Sequence, residues 1–377
     1  FQPFACVVSG HFAAGSDGKI GRGSLRVAGS QIVVEAFWLD RRGGCRFAFH
    51  RRFIHEFHRR RIRLGGVRLG VLDVGSNTVH LVVVDAQRGG PPTPMSNWKT
   101  PMRLVEYLDD KGAINHKGQE KLLNGVALAK EMSEQFRCEE MLPFATSAIR
   151  SAENSDKVLD KVEKETGVRL RILSGDDEAR LTFLAVRRWY GWSAGRICDL
   201  DIGGGSLEMS IGMNEDPDVA CSVNLGAGRL TREWFDTDPP SKKKIAALKE
   251  FIDEELNDPV EKLLDSGDID LAVGTSKTFR MLARLTGAAP SSAGPRVKRT
   301  LTQAGLRQLI AFISRMTAAD RAELEGVSAE RSHQVVAGAL VAEATMRKLD
   351  IDVLHMCPWA LREGVIFRQL DHSSQTN

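Results

Sequence analysis

The chain has 377 residues, of which 42% are hydrophobic and 27% are charged. This length and composition indicate two globular domains with buried cores, and they exclude a disordered tail or a small disulfide-framed domain. The six cysteines form no Cys-x-x-Cys pair, which favours reduced thiols in a cytoplasmic protein over a zinc site, and no apolar stretch is long enough to span a membrane.

The first 66 residues differ in charge from the rest of the chain. They hold 12 Lys/Arg and 4 Asp/Glu, a net charge of +8, whereas the remaining 311 residues carry −5. A basic arm that binds nucleic acid is one interpretation. A targeting peptide is a weaker one, because no charged segment precedes an apolar one. The favoured interpretation is a basic extension over 1–66 that is unstructured or a gene-start artefact, with the working protein beginning near Val67.

The first regular pattern in the sequence predicts two strands joined by a glycine turn. An apolar run over 69–74 breaks at Asp-x-Gly-Ser-Asn, and a period-two pattern resumes over 79–85. A phosphate-binding turn usually leads into a helix, whereas this one leads into another strand. The pattern predicts a β-hairpin, and its tip carries Asp73, Gly75, Ser76 and Asn77.

Alternating strands and helices follow, which predicts α/β layers. The strand, Asp-x-Gly turn, strand pattern returns at Asp201, 128 residues after Asp73. A hairpin repeated at this distance indicates two similar domains. The elements expected between the hairpins are a strand before 109, helices at 117–136 and 152–165, strands at 141–145 and 169–173, and a helix after 174. Those expected after the second hairpin are strands at 219–225, 270–274 and 353–356, helices at 241–265, 277–286, 302–316 and 332–348, and a final helix before a polar tail.

The second tip reads DIGGGSLE over residues 201–208. Three consecutive glycines weaken a strand, yet they let a phosphate approach the backbone amides directly. A lone glycine triplet is more often a tight bend, but two matched tips favour phosphate binding. The second tip's candidates are Gly203, Gly204, Gly205 and Ser206.

Acidic residues accompany both tips. Asp73 and Asp201 end strands beside the glycines, and Glu208 follows the second tip. Carboxylates next to a phosphate indicate a bridging cation, and Mg²⁺ is the economical choice, with Mn²⁺ as the alternative. The competing interpretation is that the two aspartates cap turns and that Glu208 faces solvent.

Two further stretches carry polar residues suited to catalysis. SGDDEAR places Asp176, Asp177 and Glu178 in the first turn of a helix, where they either complement the helix dipole or supply one base for an attacking water. ATSAIRSAEN places Ser147 and Arg150 where a strand meets a helix, and Arg150 either clamps a phosphate or lies on the helix surface.

These stretches together resemble the exopolyphosphatase and guanosine-pentaphosphate phosphohydrolase (Ppx/GppA) family, within the superfold of actin, Hsp70 and sugar kinases. The resemblance extends from about Val67 to Leu370. It implies two ribonuclease H-like domains, 67–193 and 194–370, with the active site in the cleft between them and a tail over 371–377. The motifs that carry it are LDVGSNTVHLVV, LDIGGGSLEMS, ATSAIRSAEN, LSGDDEARLTFLAV, NLGAGRLTREW and CPWALREGVI.

The resemblance assigns a role to each candidate residue. It implies that Glu178 is the general base, which spacing does not distinguish from Asp176 or Asp177. It also implies that Arg150 and Ser147 contact phosphate and that Glu208 accompanies the metal. The first tip's phosphate residues are then Gly75, Ser76 and Asn77, and the second tip's are Gly203, Gly204, Gly205 and Ser206.

The expected function is release of terminal orthophosphate from inorganic polyphosphate. Short chains are the expected substrate, because the family's long members extend the polyphosphate channel with a C-terminal helical domain that this sequence is too short to include. The alternatives are a guanosine pentaphosphate 5′-phosphohydrolase and a regulator that binds polyphosphate or alarmone without turnover. A kinase is disfavoured because VGTSKTFRMLARL lacks paired glycines for a purine. A homodimer is expected, without membrane or nucleic-acid partners. Further phosphates of the chain are expected along Lys277, Arg280, Arg296, Lys298 and Arg299, although GPRVKRT also fits a solvated loop.

Overall fold

The computed structural model describes residues 23–27, 30–34, 37–39, 45–47 and 66–373, which belong to two compact units, Phe1–Val67 and Arg68–Asn377. In the first unit the described strands form two antiparallel pairs. They are β1 (Gly23–Val27) with β2 (Ser30–Val34), and β3 (Phe37–Leu39) with β4 (Cys45–Phe47). Most of 1–66 lies outside the described residues, so its interpretation as an extension stays a prediction.

The second unit begins with a five-stranded sheet in the order β7-β6-β5-β8-β9. Strand β8 is parallel to β5 and to β9, and β6 is antiparallel to β7. The strands are β5 (Val67–Val74), β6 (Thr78–Ala86), β7 (Thr93–Pro101), β8 (Glu140–Ala145) and β9 (Arg171–Ile172). The helices that accompany this sheet are α1 (His116–Gln135), α2 (Ser147–Arg150) and α3 (Ser155–Thr166). We call this sheet and its helices the first lobe.

A six-stranded sheet in the order β12-β11-β10-β13-β15-β14 organises the second lobe. It repeats the first sheet's plan, because a meander of three strands is followed by parallel neighbours. The strands are β10 (Ile197–Ile202), β11 (Leu207–Gly212), β12 (Val219–Val223), β13 (Leu271–Gly274), β14 (Thr300–Thr302) and β15 (Val353–Met356). The duplication expected from the two hairpins is therefore present in the fold.

Nine helices complete the described part of the second unit. They are α4 (Gly175–Tyr190), α5 (Ala227–Trp234), α6 (Lys242–Glu255), α7 (Asn257–Leu264), α8 (Lys277–Leu285), α9 (Gln303–Ile313), α10 (Ala318–Ala322), α11 (Val335–Lys348) and α12 (Leu361–His372). Among the described residues no helix is both long and apolar enough to cross a membrane.

Helix α4 links the two lobes. We expected it to close the first domain, but its Phe183 and Val186 pack against Ile197 and Val273 of the second sheet. Helix α12 crosses it so closely that a Cβ on Gly364 would lie 1.8 Å from the Leu181 carbonyl oxygen. The division at 193/194 stays a prediction, and the packing associates α4 with the second sheet.

Two expected boundaries are corrected by the structure. The single helix over 241–265 is two helices, because Pro259 has no N–H for the carbonyl of Glu255 and interrupts the helical ladder. The start expected for the tail, residue 371, lies within α12, which continues to His372, and residues 374–377 lie outside the described residues. Arg188 on α4 holds this end through a 2.7 Å ion pair with Asp371.

Candidate active site

The two hairpin tips form one side of a cavity of about 200 Å³ between the lobes, which we call the front cavity. Seven of the eight predicted phosphate-binding residues line it, and so do Glu178 and the three predicted metal ligands. These eleven residues are Asp73, Gly75, Ser76, Asn77, Ser147, Glu178, Asp201, Gly203, Gly204, Ser206 and Glu208.

The two tips share one backbone geometry. The Gly75 N–H donates to the Thr78 carbonyl at 3.0 Å, and the Gly203 N–H donates to the Ser206 carbonyl at 2.8 Å. Each bond closes the turn at the same place relative to its strands. The neighbouring N–H groups around these turns are suited to an anion, because successive backbone donors can form a concave nest.

The tips also touch each other across the cleft. A Cβ on Gly204 would lie 2.9 Å from Asn77 Nδ2, and one on Gly205 would lie 2.6 Å from Ser147 Oγ. Ser76 Oγ and Ser147 Oγ are 3.2 Å apart. Gly205 was expected in the phosphate-binding wall, but the structure places it at the contact between the lobes instead. The second and third glycines of the triplet, Gly204 and Gly205, therefore allow the two lobes to lie in close contact.

The three acids at the start of α4 have different surroundings. Ser174 and Asp177 form a capping box, in which Ser174 Oγ accepts from the Asp177 N–H at 3.0 Å. Asp176 is exposed, whereas Glu178 is 8% exposed and lines the front cavity. The structure therefore distinguishes Glu178 from its neighbours, as the family resemblance did.

Arg150 contacts the Glu178 carboxylate. Its Nη1 donates to Glu178 Oε1 and also to the Leu173 carbonyl at 2.7 Å. Arg150 was expected to clamp a phosphate, but it is outside the residues that line the front cavity. Its donors are directed at Glu178 and the neighbouring backbone, so the geometry gives it a positioning role.

Burial and mutual repulsion shape the acidic side of the cavity. Burial, and then the charge of Glu208, raise the pKa of Glu178 well above its usual range despite Arg150. Burial and the charge of Asp201 raise the pKa of Glu208 to about 7. Glu208 is 6% exposed, so it is not the solvent-facing strand residue of the alternative interpretation. Burial is also the largest cause of the raised pKa of Asp73. Ionising these carboxyls together is costly unless a cation accompanies them.

A hard cation fits this donor set with few protein ligands. Asp201 and Glu208 face each other across the β10–β11 pair. The Asp201 carboxylate accepts from the Thr275 hydroxyl at 2.7 Å, and the Glu208 carboxylate accepts from the Ser222 hydroxyl at 2.8 Å. Within 66–373 and the described N-terminal strands, no three Asp, Glu, His or Cys side chains are grouped to hold an ion by themselves. Mg²⁺ is commonly bound by one or two carboxylates together with water and substrate phosphate oxygens, which suits this arrangement.

Five basic side chains line the front cavity, and we call them the cationic wall. They are Lys99, Lys277, Arg280, Arg331 and Arg362. Lys277 and Arg280 were predicted, and both lie in the first turns of α8. Burial and then repulsion by Arg331 lower the pKa of Lys277 to about 8, and burial and then Arg362 lower the pKa of Lys99. Cations that repel one another in a cleft provide a favourable site for a polyanion.

The other three residues of the predicted groove are absent from the wall of the front cavity. The guanidinium of Arg296 stacks 4.8 Å from the Trp189 ring. Arg299 donates to four loop carbonyls, including those of Ala289 and Gly294 at 2.8 and 3.0 Å. Lys298 lies near His355, whose pKa is lowered by burial and then by the charge of Lys298. Arg299 also lines a second cavity that shares Lys277, Arg280 and Arg331 with the front cavity, so its contact with the substrate chain stays a prediction. In the front cavity itself, Lys99, Arg331 and Arg362 complete the basic wall.

A histidine that sequence analysis missed also lines this cavity. His80 Nε2 is 2.9 Å from Asn97 Oδ1, and its Nδ1 contacts Nη1 of Arg362. Burial, and then the charge of Arg362, lower the pKa of His80 to about 3, so the ring is neutral. Arg362 is also 3.8 Å from Asp73. The contact between Arg362 and His80 joins β6 of the first lobe to the start of α12.

The corrected wall makes a direct prediction about substrate affinity. Lys99→Gln and Arg331→Gln are each expected to raise KM for short-chain polyphosphate by about three- to tenfold, because each removes one charge-assisted contact. Lys298→Gln and Arg296→Gln are the matched controls and are expected to leave KM within twofold of the parent, on the scale of a surface charge. Steady-state phosphate release at constant ionic strength measures the four constants. A larger effect for Lys298→Gln than for Lys99→Gln would contradict the corrected wall.

Comparison with known proteins identifies relatives of this chain. The model of the Ppx/GppA phosphatase family matches residues 82–373. The chain is 64% identical over 305 residues to Exopolyphosphatase 1 of Mycobacterium tuberculosis, covering 81% of this chain and 89% of the relative. It is 24% identical to the guanosine-5′-triphosphate,3′-diphosphate pyrophosphatase of Vibrio parahaemolyticus, covering 81% of this chain and 60% of the relative.

Solved structures show the same fold. An exopolyphosphatase from Cytophaga hutchinsonii matches with a TM-score of 0.73 at 24% identity, covering 81% of this chain and 98% of that one. A Ppx/GppA member from Aquifex aeolicus matches with a TM-score of 0.69 at 23% identity, covering 82% and 99%. The predicted actin-like fold of two α/β lobes is confirmed. With the matched family model and the mycobacterial relatives, the predicted family is confirmed as well: the chain belongs to the Ppx/GppA phosphatase family.

Proposed function

We propose that this enzyme releases terminal orthophosphate from inorganic polyphosphate by hydrolysing the end phosphoanhydride. The observation that carries the proposal is the two-sided front cavity. Glycine tips and the buried Glu178 form one part of its wall, and five cations form another. Relatives more than 60% identical are named exopolyphosphatase, which supports the same activity here. The pyrophosphatase relatives, at 24% identity, give the alternative substrate weaker support.

In the proposed mechanism, the backbone amides of the two tips hold the end phosphate, with Ser76 and Ser206 beside it. Glu178 orients a water and takes one of its protons while the water oxygen attacks the terminal phosphorus in line. The bond to the bridging oxygen breaks, and the shortened chain departs with that electron pair. Arg150 keeps the Glu178 carboxylate in place, and the cationic wall binds the phosphates that remain.

Glu208, Asp201 and Asp73 would hold Mg²⁺, or Mn²⁺, on the acidic side of the cavity. When bound, the cation supplies charge neutralisation for the phosphate oxygens.

The proposal also includes a cytoplasmic location, since Cys198 and Cys357 are buried free thiols, as is usual in reducing compartments. A homodimer is proposed from the family resemblance.

The test is phosphate release by the full chain from short-chain polyphosphate and from guanosine pentaphosphate, each with Mg²⁺. We expect the higher kcat/KM on polyphosphate. A higher value on guanosine pentaphosphate would assign the alternative activity. Tight binding of either compound without phosphate release would instead identify a regulator.

The low pKa of Lys277 predicts an alkaline loss of substrate affinity. A lysine with a pKa of about 8 is charged below that pH and becomes neutral above it. KM for polyphosphate is therefore expected to rise by about three- to tenfold between pH 7 and pH 9, as one charge-assisted contact is lost. Lys277→Arg keeps the charge and is expected to remove most of this rise. An unchanged rise in the arginine variant would show that another group causes it.

A further inference from the structure

A second cavity, of about 150 Å³, lies next to the front cavity on the other side of the tips, and we call it the back cavity. Among the described residues, three line both cavities: Ser76, Asn77 and Gly204. The rest of its wall includes Arg103, Glu106, Thr231, Arg232 and His333. The position of the reacting phosphate thus has a neighbouring space, separated from it by the tips.

The partition between the two cavities is the contact between the hairpin tips. The close approach of Gly204 to Asn77 forms it, and each tip is tied to backbone behind it. The carbonyl of Asn77 accepts from the Met102 N–H at 2.8 Å. The carbonyl of Gly204 accepts from the Arg229 N–H at 2.9 Å, near the start of α5. A small separation of the tips would therefore join the cavities.

The polar groups of the back cavity suit a small oxyanion. Arg103 and Arg232 supply two guanidinium groups, and Glu106 lies 3.3 Å from Arg103, which moderates the positive charge. The Gln334 amide lies against the wall at Gly228 and is 3% exposed, and neither its nitrogen nor its oxygen has a hydrogen-bond partner in the described part of the chain. A buried amide of this kind is normally satisfied by water or a bound group.

We propose that the back cavity is the exit for orthophosphate. This inference rests on the proposed function, because orthophosphate is the product of that reaction. After cleavage the shortened chain stays on the cationic wall, between the freed phosphate and the mouth of the front cavity. Passage between the tips lets the product leave while the chain remains bound. Each of the two arginines is paired with a glutamate, Arg103 with Glu106 and Arg232 with Glu233, and this moderated positive charge favours transit over retention.

Two variants alter the exit without touching the residues shared with the front cavity. Thr231→Trp places a bulky ring in the back cavity, and Arg232→Glu replaces an attractive charge by a repulsive one. Glu250→Trp adds the same bulk at an exposed position of α6, outside the residues that line either cavity, and is the matched control. Circular dichroism verifies the fold of each variant.

The experiment separates cleavage from release in a single turnover of the full-length enzyme with Mg²⁺. Acid quenching of end-labelled polyphosphate measures cleavage, and a fluorescent phosphate-binding sensor measures free orthophosphate. In both exit variants we expect the parent's cleavage rate but release slowed by about tenfold or more, with no lag in Glu250→Trp.

Release that follows cleavage without delay in both exit variants would overturn the exit while leaving the proposed function standing. Equal slowing of cleavage and release would also overturn it, since that pattern indicates damage to the phosphate site. Absence of cleavage in the parent enzyme would overturn the proposed function, and the exit with it.

Discussion

Replacing Glu178 with glutamine is expected to lower kcat for phosphate release from short-chain polyphosphate by about a hundredfold or more. The amide keeps the size of the side chain and can still accept from Arg150, but it cannot take a proton from water. Binding of polyphosphate is expected to be equal or tighter, because a negative charge leaves the cavity. Rapid-quench kinetics and equilibrium binding measure the two quantities separately.

The same variant is expected to gain stability. The pKa of Glu178 is raised in the folded protein, so folding is opposed wherever this carboxyl must ionise. The parent therefore loses stability as the pH rises above the unfolded carboxyl's pKa of about 4.3. At pH 8, with a chelator present, Glu178→Gln is expected to melt about 2 °C or more above the parent. This difference is expected to vanish near pH 4.

Asp177→Asn is the matched control for the base. It changes the charge of the adjacent residue in the same helical turn, and asparagine can still accept from the Ser174 N–H. It is expected to keep kcat within about threefold, the scale of a surface substitution. Full activity in Glu178→Gln, or a larger loss in Asp177→Asn, would show that the base is assigned to the wrong carboxylate.

The catalytic tips were predictable because each is encoded locally. An Asp-x-Gly turn between two strands occurs twice, and three adjacent glycines have no role in an ordinary strand. Glu178 was not distinguishable from Asp176 or Asp177 by such local signals. Glu178 differs from these two residues because it is buried in a cavity that residues of both lobes form. The family resemblance was therefore needed to select it.

The cationic wall shows why other parts of the site were not predictable. Lys99, Arg331 and Arg362 come from β7, from the segment before α11 and from the start of α12. No short motif joins segments so distant in sequence, and the fold alone brings them together. Arg299 belongs to a basic run, GPRVKRT, whose sequence does not show that its donors hold the carbonyls of its own loop while it lines a cavity shared with Lys277, Arg280 and Arg331.

Replacing Gly205 with alanine is expected to lower kcat/KM for polyphosphate by about a hundredfold, the loss typical of a misplacement near 1 Å. The added Cβ would lie 2.6 Å from Ser147 Oγ and 3.0 Å from Ser147 Cβ, so the second tip must move away from the start of α2 in the first lobe to accommodate it. The backbone of Gly205 is outside the left-handed region, so the loss arises from missing space. Steady-state phosphate release measures it.

The double variant Gly205→Ala/Ser147→Gly tests this steric argument. Removing the Ser147 side chain removes the two atoms that the new methyl group would clash with and leaves Ser76 Oγ at 3.7 Å, an ordinary contact, so the double variant is expected to recover at least tenfold over Gly205→Ala. Gly203→Ala provides the comparison within one lobe, because its Cβ would meet the Ser206 carbonyl oxygen at 3.3 Å, and it is expected to lose less than Gly205→Ala. A double variant no more active than Gly205→Ala would mean that the glycine serves the phosphate directly. Recovery would show that close contact between the lobes is itself a condition for catalysis, because the reacting phosphate is held by both tips at once.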